Sequence, residues 1–285
     1  MLDLFKNLTH YNDLFTNTLY TKIMSEKNLL HFQFDQVKQE INQPALVFIH
    51  GLFGDMNNLG VIARAFSETY SILRVDLRNH GRSFHSDEMN YDLMAEDLIQ
   101  VIHELDLKKV ILIGHSMGGK TAMKMTALYP DIVEKLIVID IAPVKYQNNW
   151  HNDIFDALFA TQKAQPKTRQ EAKISLAQHI PVEAIQQFML KSFDPSAKEF
   201  FRFNLTSLHK NYDNIMDWQL CHSNTPTLFI RGGQSNYIKS EDTQLILSQF
   251  PQATSFTING SGHWVHAEKP EFVIRAIERF LISNK

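Results

Sequence analysis

The stretch that decides the fold runs from residue 110 to residue 119 and reads Val110-Ile-Leu-Ile-Gly-His-Ser-Met-Gly-Gly119. An apolar run typical of a buried strand ends there in Gly114-His-Ser-Met-Gly118, which matches the G-x-S-x-G nucleophile elbow. In this motif a serine leaves the strand through a very sharp turn, and flanking glycines remove Cβ atoms for which there is no room. The pattern predicts an exposed Ser116 at the start of a helix, where backbone N–H groups favour developing negative charge.

The same letters also fit a second motif. Residues 114–121 read G-H-S-M-G-G-K-T and match the P-loop pattern G-x-x-x-x-G-K-[ST]. The apolar run 136–139, followed by Asp140, is likewise compatible with a Walker B strand. The local pattern therefore leaves a nucleophile elbow and a phosphate-binding loop both open.

Composition narrows the class of protein. The chain has 285 residues, 44% of them apolar, and its 28 basic and 31 acidic residues give a net charge of −3. We expect one large core, and without a sustained basic block we expect no nucleic-acid partner. Cys221 is the single cysteine, and the thirteen histidines include no H-E-x-x-H. The sequence thus predicts no metal and gives no sign of an obligate protein partner.

No stretch reaches the roughly 18–20 apolar residues of a membrane span. Residues 1–23 have neither an uninterrupted apolar region nor a small-residue cleavage site. We therefore predict a cytoplasmic protein without membrane insertion. A disordered leader and an appended amphipathic helix both stay open for this segment. The helix alternative rests on apolar residues at helical spacing, namely Leu4, Leu8, Tyr11, Phe15, Leu19 and Ile23.

Strand and helix patterns alternate along most of the chain, which predicts an α/β fold with a mostly parallel sheet flanked by helices. The strand patterns cover residues 29–35, 45–49, 71–77, 110–113, 136–139, 227–230 and 255–258. The helical patterns between and after them cover residues 58–68, 94–105, 120–128, 241–249 and 270–281.

The alternation is interrupted after Pro143. Helical patterns follow at 154–161, 168–179, 182–193 and 200–209, with no convincing strand among them. Such an insertion predicts a helical cap over the carboxyl ends of the strands, where open α/β sheets bind ligands. We divide the chain into an N-terminal extension (1–27), a first core part (28–145), a helical cap (146–221) and a second core part (222–285).

Three predicted loops at corresponding strand ends carry Ser116, Asp140 and His263. Their order, Ser, Asp, His, is that of the α/β-hydrolases. The strand at 45–49 leads into His50-Gly-Leu-Phe-Gly54, where the N–H of Leu52 would join that of Met117 in binding an oxyanion. A P-loop normally follows an early strand and leaves these features without roles, so the chain as a whole favours the hydrolase fold.

We expect the catalytic carboxylate of this Ser, Asp, His set after an earlier strand than in the commonest hydrolase arrangement. The loop after the 227–230 strand offers Ser235 and Asn236 but no carboxylate, and Glu241 and Asp242 fall at a helix start, where carboxylates commonly cap N–H groups. Neighbouring strand ends lie only about 5 Å apart. Asp140 can therefore reach an imidazole that serves Ser116.

The other reactive side chains fit structural roles. We expect loop hydrogen bonding from Asp76, Arg78 and His80, and packed, hydrogen-bonded support from His50, His115 and His266. The predicted cap carries a surplus of three positive charges, which fits either a solvated helix face or a contact with the phosphates of coenzyme A. That surplus comes from Lys163, Lys167, Arg169 and Lys173 against Glu171.

Longer segments carry a resemblance to a family. HGLFGDMNNLGVIAR, VDLRNHGRS, GHSMGGKTAM, VIDIAPVKY, FMLKSF, FIRGGQSNYI and INGSGHWVHAEKP resemble the YbfF-type bacterial acyl esterases, over about residues 28–283. The resemblance implies an esterase or thioesterase for small-molecule acyl esters, acyl-CoA among them. It also implies no cofactor, with Ser116 as nucleophile, Asp140 as acid and His263 as base. Family chains begin near Met24, so nothing is implied for residues 1–23. A C–C bond hydrolase or lyase on the same fold is the alternative.

Overall fold

A seven-stranded sheet forms the centre of the residues that the structure, a computed structural model, describes, namely 28–37, 43–147 and 151–283. Its strands are β1 (Phe32–Asp35), β2 (Ala45–Ile49), β3 (Ile72–Val75), β4 (Val110–His115), β5 (Val133–Ile139), β6 (Thr227–Gly232) and β7 (Ala253–Ile258). They lie in the order β1-β3-β2-β4-β5-β6-β7. β1 is antiparallel to β3, and every other neighbouring pair is parallel. The predicted N-terminal extension lies outside the described residues.

Burial along the strands follows their place in the sheet. Every residue of β2 and of β4 is buried, because helices cover both faces of the central strands. In β1, at the sheet edge, partly buried and exposed residues alternate. The continuous apolar run and the alternating pattern in the sequence therefore predicted the two kinds of strand correctly.

Helices cover the two faces of the sheet. These are α1 (Gly60–Phe66), α2 (Tyr91–Glu104), α3 (Met117–Leu128), α9 (Thr243–Gln249), the short α10 (Val265–Glu268) and α11 (Pro270–Ile282). Phe48 of β2 belongs to a core shared with α1 and α11, whereas its neighbour Val47 belongs to a core shared with α2 and α3. Successive side chains of a strand point to opposite faces, so two cores form. The predicted mostly parallel sheet flanked by helices is confirmed.

Between β5 and β6, the residues that the structure describes form five more helices. They are α4 (Asn152–Ala164), α5 (Arg169–Ala177), α6 (Glu183–Lys191), α7 (Leu205–Lys210) and α8 (Tyr212–Met216). We call residues 151–217 the inserted segment. Phe53, in the loop after β2, packs against Phe155 and Phe203 of this segment, with both pairs of ring centroids 5.2 Å apart. Across residues 28–37, 43–147 and 151–283, no helix has the length and apolar character needed to cross a membrane.

The helix predicted at 200–209 begins later than expected. Phe200 has a φ of 64°, and Phe201 forms an isolated antiparallel bridge with Phe193. The helix starts after Asn204, whose side chain accepts a hydrogen bond from the Ser207 N–H at 3.1 Å. The apolar spacing that suggested an earlier start thus belongs to an extended segment. The helix α8 was not predicted.

The glycines of the elbow generate a stability prediction. A Cβ on Gly114 would lie 2.3 Å from the Gly118 carbonyl oxygen. We expect Gly114→Ala to lower the free energy of unfolding by about 1–3 kcal/mol, the usual cost of overpacking. Urea denaturation monitored by circular dichroism measures this change.

Gly60→Ala is the matched control. A Cβ on Gly60, in the first turn of α1, would meet no atom closer than 3.5 Å. Because alanine favours the helix, this variant should equal or exceed the wild-type stability by up to about 1 kcal/mol. Equal unfolding midpoints for the two variants would show that the elbow tolerates a side chain at Gly114.

Candidate active site

Ser116 sits between β4 and α3 in a strained backbone conformation. Its φ is 52° and its ψ is −122°, a region that side-chain-bearing residues rarely adopt. The turn packs closely on its surroundings, since a Cβ on Gly118 would lie 2.3 Å from the Ile49 carbonyl oxygen. The sharp elbow expected from the sequence is therefore present, and it turns the serine hydroxyl away from the core.

Ser116, His263 and Asp140 form one hydrogen-bonded line. The His263 Nε2 lies 3.0 Å from the Ser116 Oγ, and its Nδ1 lies 2.7 Å from the Asp140 Oδ2. A carboxylate at Nδ1 favours the tautomer with the proton on Nδ1, which leaves Nε2 able to accept the serine proton. The structure thus brings together the three residues that the sequence placed in one site.

Asp140 is fully buried at the end of β5, and its φ is 53°. Besides His263, two donors reach its carboxylate. The Gly232 N–H donates to Oδ1 at 2.8 Å, and the Ser235 hydroxyl donates to Oδ2. The end of β6 and the loop after it therefore each contribute one donor to the Asp140 carboxylate. A buried carboxylate needs such partners because its charge is costly to remove from water.

The two later carboxylates have structural partners, as the sequence suggested. Asp242 accepts a hydrogen bond from the Lys239 N–H at 2.8 Å, at the start of the short helix that precedes α9. Glu241 is exposed and lies 3.3 Å from the Lys239 ammonium.

The loop after β2 passes beside the serine. A Cβ on Gly51 would lie 3.3 Å from the Ser116 Cβ, and Phe53 has a φ of 63°. Within the part of the chain that the structure describes, the N–H groups of Leu52 and Met117 have no hydrogen-bond acceptor. No other described group therefore uses these two N–H groups, and their role in binding an oxyanion stays a prediction.

Two buried histidines hold this loop in place. His50 Nδ1 bonds to the Gly51 carbonyl at 2.8 Å, and its Nε2 accepts from the Leu77 N–H at 3.0 Å. His80 Nε2 accepts from the Phe53 N–H at 3.2 Å. Burial lowers the pKa of both rings, so the rings are neutral and hold the loop through these hydrogen bonds. These contacts agree with the supporting roles predicted for them.

A second pair of buried histidines packs behind His263. His115 Nε2 bonds to the His263 carbonyl oxygen at 3.1 Å, and the His115 and His266 ring centroids are 4.2 Å apart. Burial lowers the pKa of His266 to about 3. His266 packs as expected, but the expected hydrogen bond is missing at its Nδ1, which has no partner among the described residues.

Sequence reasoning missed an aromatic contact on the other face of His263. The Tyr237 ring stacks on the imidazole, with centroids 3.9 Å apart and an interplanar angle of 22°. The Tyr146 hydroxyl accepts from the Ala142 N–H at 2.9 Å and donates to the Tyr237 carbonyl at 2.6 Å. Tyr237 thus limits the rotation of the imidazole.

The lysine of the G-K-T match is bonded to other parts of the protein. Lys120 is buried, and its ammonium donates to the carbonyl oxygens of Asp217 at 2.9 Å and Met216 at 3.3 Å. It also lies 4.7 Å from the centre of the Tyr146 ring, and burial lowers its pKa to about 7. Lys120 therefore connects α3 to the end of the inserted segment, and a phosphate-binding role has no support.

A cleft opens above Ser116 with about 440 Å³ of empty space, part of it open to solvent. The inserted segment contributes His151, Ile154, Phe188 and Met189 to its walls. The rest of the lining comes from Gly51, Leu52, Phe53, Asn58, His115, Ser116, His263, Trp264 and His266. Over the described ranges, no group of three or more His, Cys, Asp or Glu side chains is placed to hold a metal ion.

The positive charges predicted for the cap lie outside this lining. Lys163 and Lys167 are exposed, and Lys173 pairs with Glu183 at 3.0 Å. Arg169 donates to the Leu190 carbonyl oxygen at 2.5 Å. These contacts favour the solvated helix face over a phosphate contact.

The comparisons with known proteins agree with the fold described above. A family model described as alpha/beta hydrolase fold matches residues 44–270. The chain belongs to the α/β-hydrolase fold family. It is 66% identical to a putative esterase/lipase of Haemophilus influenzae, over 96% of this chain and 95% of that protein.

Two further relatives have esterase names. The chain is 43% identical to esterase YbfF of Escherichia coli, over 88% of this chain and 98% of that protein. The solved structure of a marine microorganism esterase superposes with a TM-score of 0.83 at 38% identity, over 89% of this chain and all of that one (100%). The predicted resemblance is confirmed, and the names agree with the predicted enzyme class.

The assignment of the acid gives the next prediction. Asp140→Asn keeps the acceptor for the Gly232 N–H but offers an amide N–H to His263, which favours the wrong imidazole tautomer. We expect kcat for p-nitrophenyl butyrate to fall by about 10²- to 10⁴-fold while the fold is retained. Steady-state kinetics and circular dichroism measure the two properties.

The control variants are Asp242→Asn and Glu241→Gln. Asp242 and Glu241 both contact Lys239 rather than His263. The turnover of these two variants should therefore stay near that of the wild type. Near-normal turnover in Asp140→Asn, with collapse in either control, would move the acid to the later loop.

Proposed function

We propose that the protein is a serine hydrolase that cleaves carboxylic esters through an acyl-enzyme. The observation that carries the proposal is the line of hydrogen bonds from Ser116 through His263 to Asp140, at 3.0 Å and 2.7 Å, at the base of the cleft. The esterase names of close relatives support the same reaction class.

In the first half of the reaction, His263 Nε2 takes the hydroxyl proton as Ser116 Oγ attacks the carbonyl carbon. The carbonyl oxygen becomes an oxyanion, which the N–H groups of Leu52 and Met117 bind. One such donor is worth about 3 kcal/mol of transition-state stabilisation. The tetrahedral intermediate then collapses. The bond to the leaving oxygen breaks, and the imidazolium Nε2–H returns the proton to the departing alcohol.

In the second half, water enters the cleft and His263 Nε2 takes one of its protons. The hydroxyl oxygen attacks the acyl carbon, and the proton returns to Ser116 Oγ as the acid leaves. Asp140 keeps its charge throughout and stabilises the imidazolium at Nδ1. The groups that take part in these proposed steps are the three side chains, the two backbone N–H groups and water.

The substrate is proposed to be a small acyl ester. Leu52, Phe53, Ile154, Phe188 and Met189 make the walls of the cleft largely apolar, which suits an alkyl acyl chain. A thioester, acyl-CoA included, would pass through the same acyl-enzyme, with a thiol as the leaving group. We also propose that the chain is divided into a helical cap (146–221) and two core parts (28–145 and 222–285). The cytoplasmic location stays a prediction from the sequence.

Ser116→Ala tests the proposal. Without the nucleophile, kcat for p-nitrophenyl butyrate should fall by about 10⁴- to 10⁶-fold. The unfolding midpoint should change little, since the hydroxyl lies at the surface of the cleft. Turnover that survives the substitution would place the reaction on another residue.

An ATP-binding measurement separates the nucleotide-binding alternative. We expect no binding of Mg–ATP to the wild-type protein by isothermal titration calorimetry. Binding that disappears in Lys120→Ala would restore the P-loop interpretation.

A further inference from the structure

One polar side chain of the inserted segment faces the cleft and has no part in the steps above. His151 immediately precedes α4 and lines the cleft together with Ser116 and His263. The nearby side chains of the segment that share this lining, Ile154, Phe188 and Met189, are apolar. Within this part of the lining, the His151 imidazole offers a hydrogen bond where its apolar neighbours offer none.

The His151 ring is fixed in place. Its Nδ1 lies 2.8 Å from the Tyr212 hydroxyl oxygen. The ring meets Phe53 edge-on at a centroid distance of 6.3 Å and Tyr212 at 5.6 Å. Within the described residues nothing bonds to Nε2. The ring therefore presents one ring nitrogen to whatever fills the cleft.

Burial, together with the nearby His263, lowers the pKa of His151 to about 4, so the ring is neutral near pH 7 and carries a single N–H. Burial also raises the pKa of Tyr212 to about 12, so its hydroxyl keeps its proton. Among the described residues, His151 Nδ1 is the only acceptor that this hydroxyl reaches. When Tyr212 donates to Nδ1, the ring proton sits on Nε2.

We propose that His151 is a specificity-determining residue whose Nε2–H donates a hydrogen bond to a second oxygen of the substrate, near the scissile ester. The preferred substrates are then esters with an ether, keto or hydroxyl oxygen close to the reacting carbonyl, rather than plain alkyl esters. This inference rests on the proposed esterase function. A neutral donor beside apolar side chains favours binding of a substrate that has such an oxygen. A substrate without it displaces water from the buried N–H and leaves that N–H without a hydrogen-bond partner.

The test uses two pairs of esters of equal size, in which an ether oxygen replaces one methylene group. Ethyl 3-methoxypropanoate against ethyl pentanoate places the oxygen in the acyl chain. 2-Methoxyethyl butanoate against butyl butanoate places it in the leaving alcohol. An ether oxygen only accepts hydrogen bonds, so a preference for it identifies a donor. Acid release in a pH-stat gives kcat/KM for each ester.

His151→Phe keeps the aromatic ring and removes both nitrogens. We expect the ether-to-alkyl ratio of kcat/KM to fall by about 3- to 10-fold in one of the two pairs, the size of one neutral hydrogen bond. The alkyl ester of that pair, which has no ether oxygen, should lose less of its kcat/KM than the ether ester, and an unchanged circular dichroism spectrum shows that the variant is folded. His151→Gln, which returns an N–H near the position of Nε2, should recover part of the ratio.

Tyr212→Phe is the matched second variant. It removes the hydroxyl that fixes the tautomer, and should lower the same ratio less than His151→Phe does. Unchanged ratios in both ester pairs for His151→Phe, or an equal fall for the ether and alkyl esters, would overturn the specificity role while leaving the esterase proposal intact. Failure of the wild-type protein to hydrolyse any of the four esters would overturn the function on which the inference rests.

Discussion

The contact between two pieces of backbone at the elbow is the constraint on which the site depends. Gly114 and Gly118 let the start of α3 approach the end of β4 and the carbonyl of Ile49 to distances that no Cβ permits. Ser116 is consequently held at a φ of 52°, off the end of the strand. The same approach places Gly51 beside the serine, so one packing event positions both the nucleophile and the loop that serves the oxyanion.

A second constraint is electrostatic. Asp140 is a buried charge, and donors from Gly232, Ser235 and His263 meet its carboxylate. Burial lowers the pKa values of His115 and His266, so the rings packed behind His263 are neutral. The carboxylate therefore has one imidazole to stabilise, which is the condition for a general base that becomes charged during turnover.

The sequence was informative where the physics is local. Glycines around one serine, apolar runs and strand alternation predicted the elbow, the sheet and the place of Asp140. Contacts between distant segments left no local pattern. The Ser235 hydroxyl on Asp140, the Tyr237 ring on His263 and the His151–Tyr212 pair join residues up to 95 positions apart. Lys120 shows the reverse case, because a perfect G-K-T match holds a side chain that packs among aromatic rings.

The central claim is that Ser116 forms a covalent acyl-enzyme with the help of His263. The most direct measurement is mass spectrometry of the intact protein, followed by peptide mapping, after treatment with a fluorophosphonate. The account predicts one adduct per chain, on the peptide that contains Ser116, and a labelling rate reduced by orders of magnitude in His263→Ala. An adduct on another residue, or labelling at the wild-type rate without His263, would contradict it.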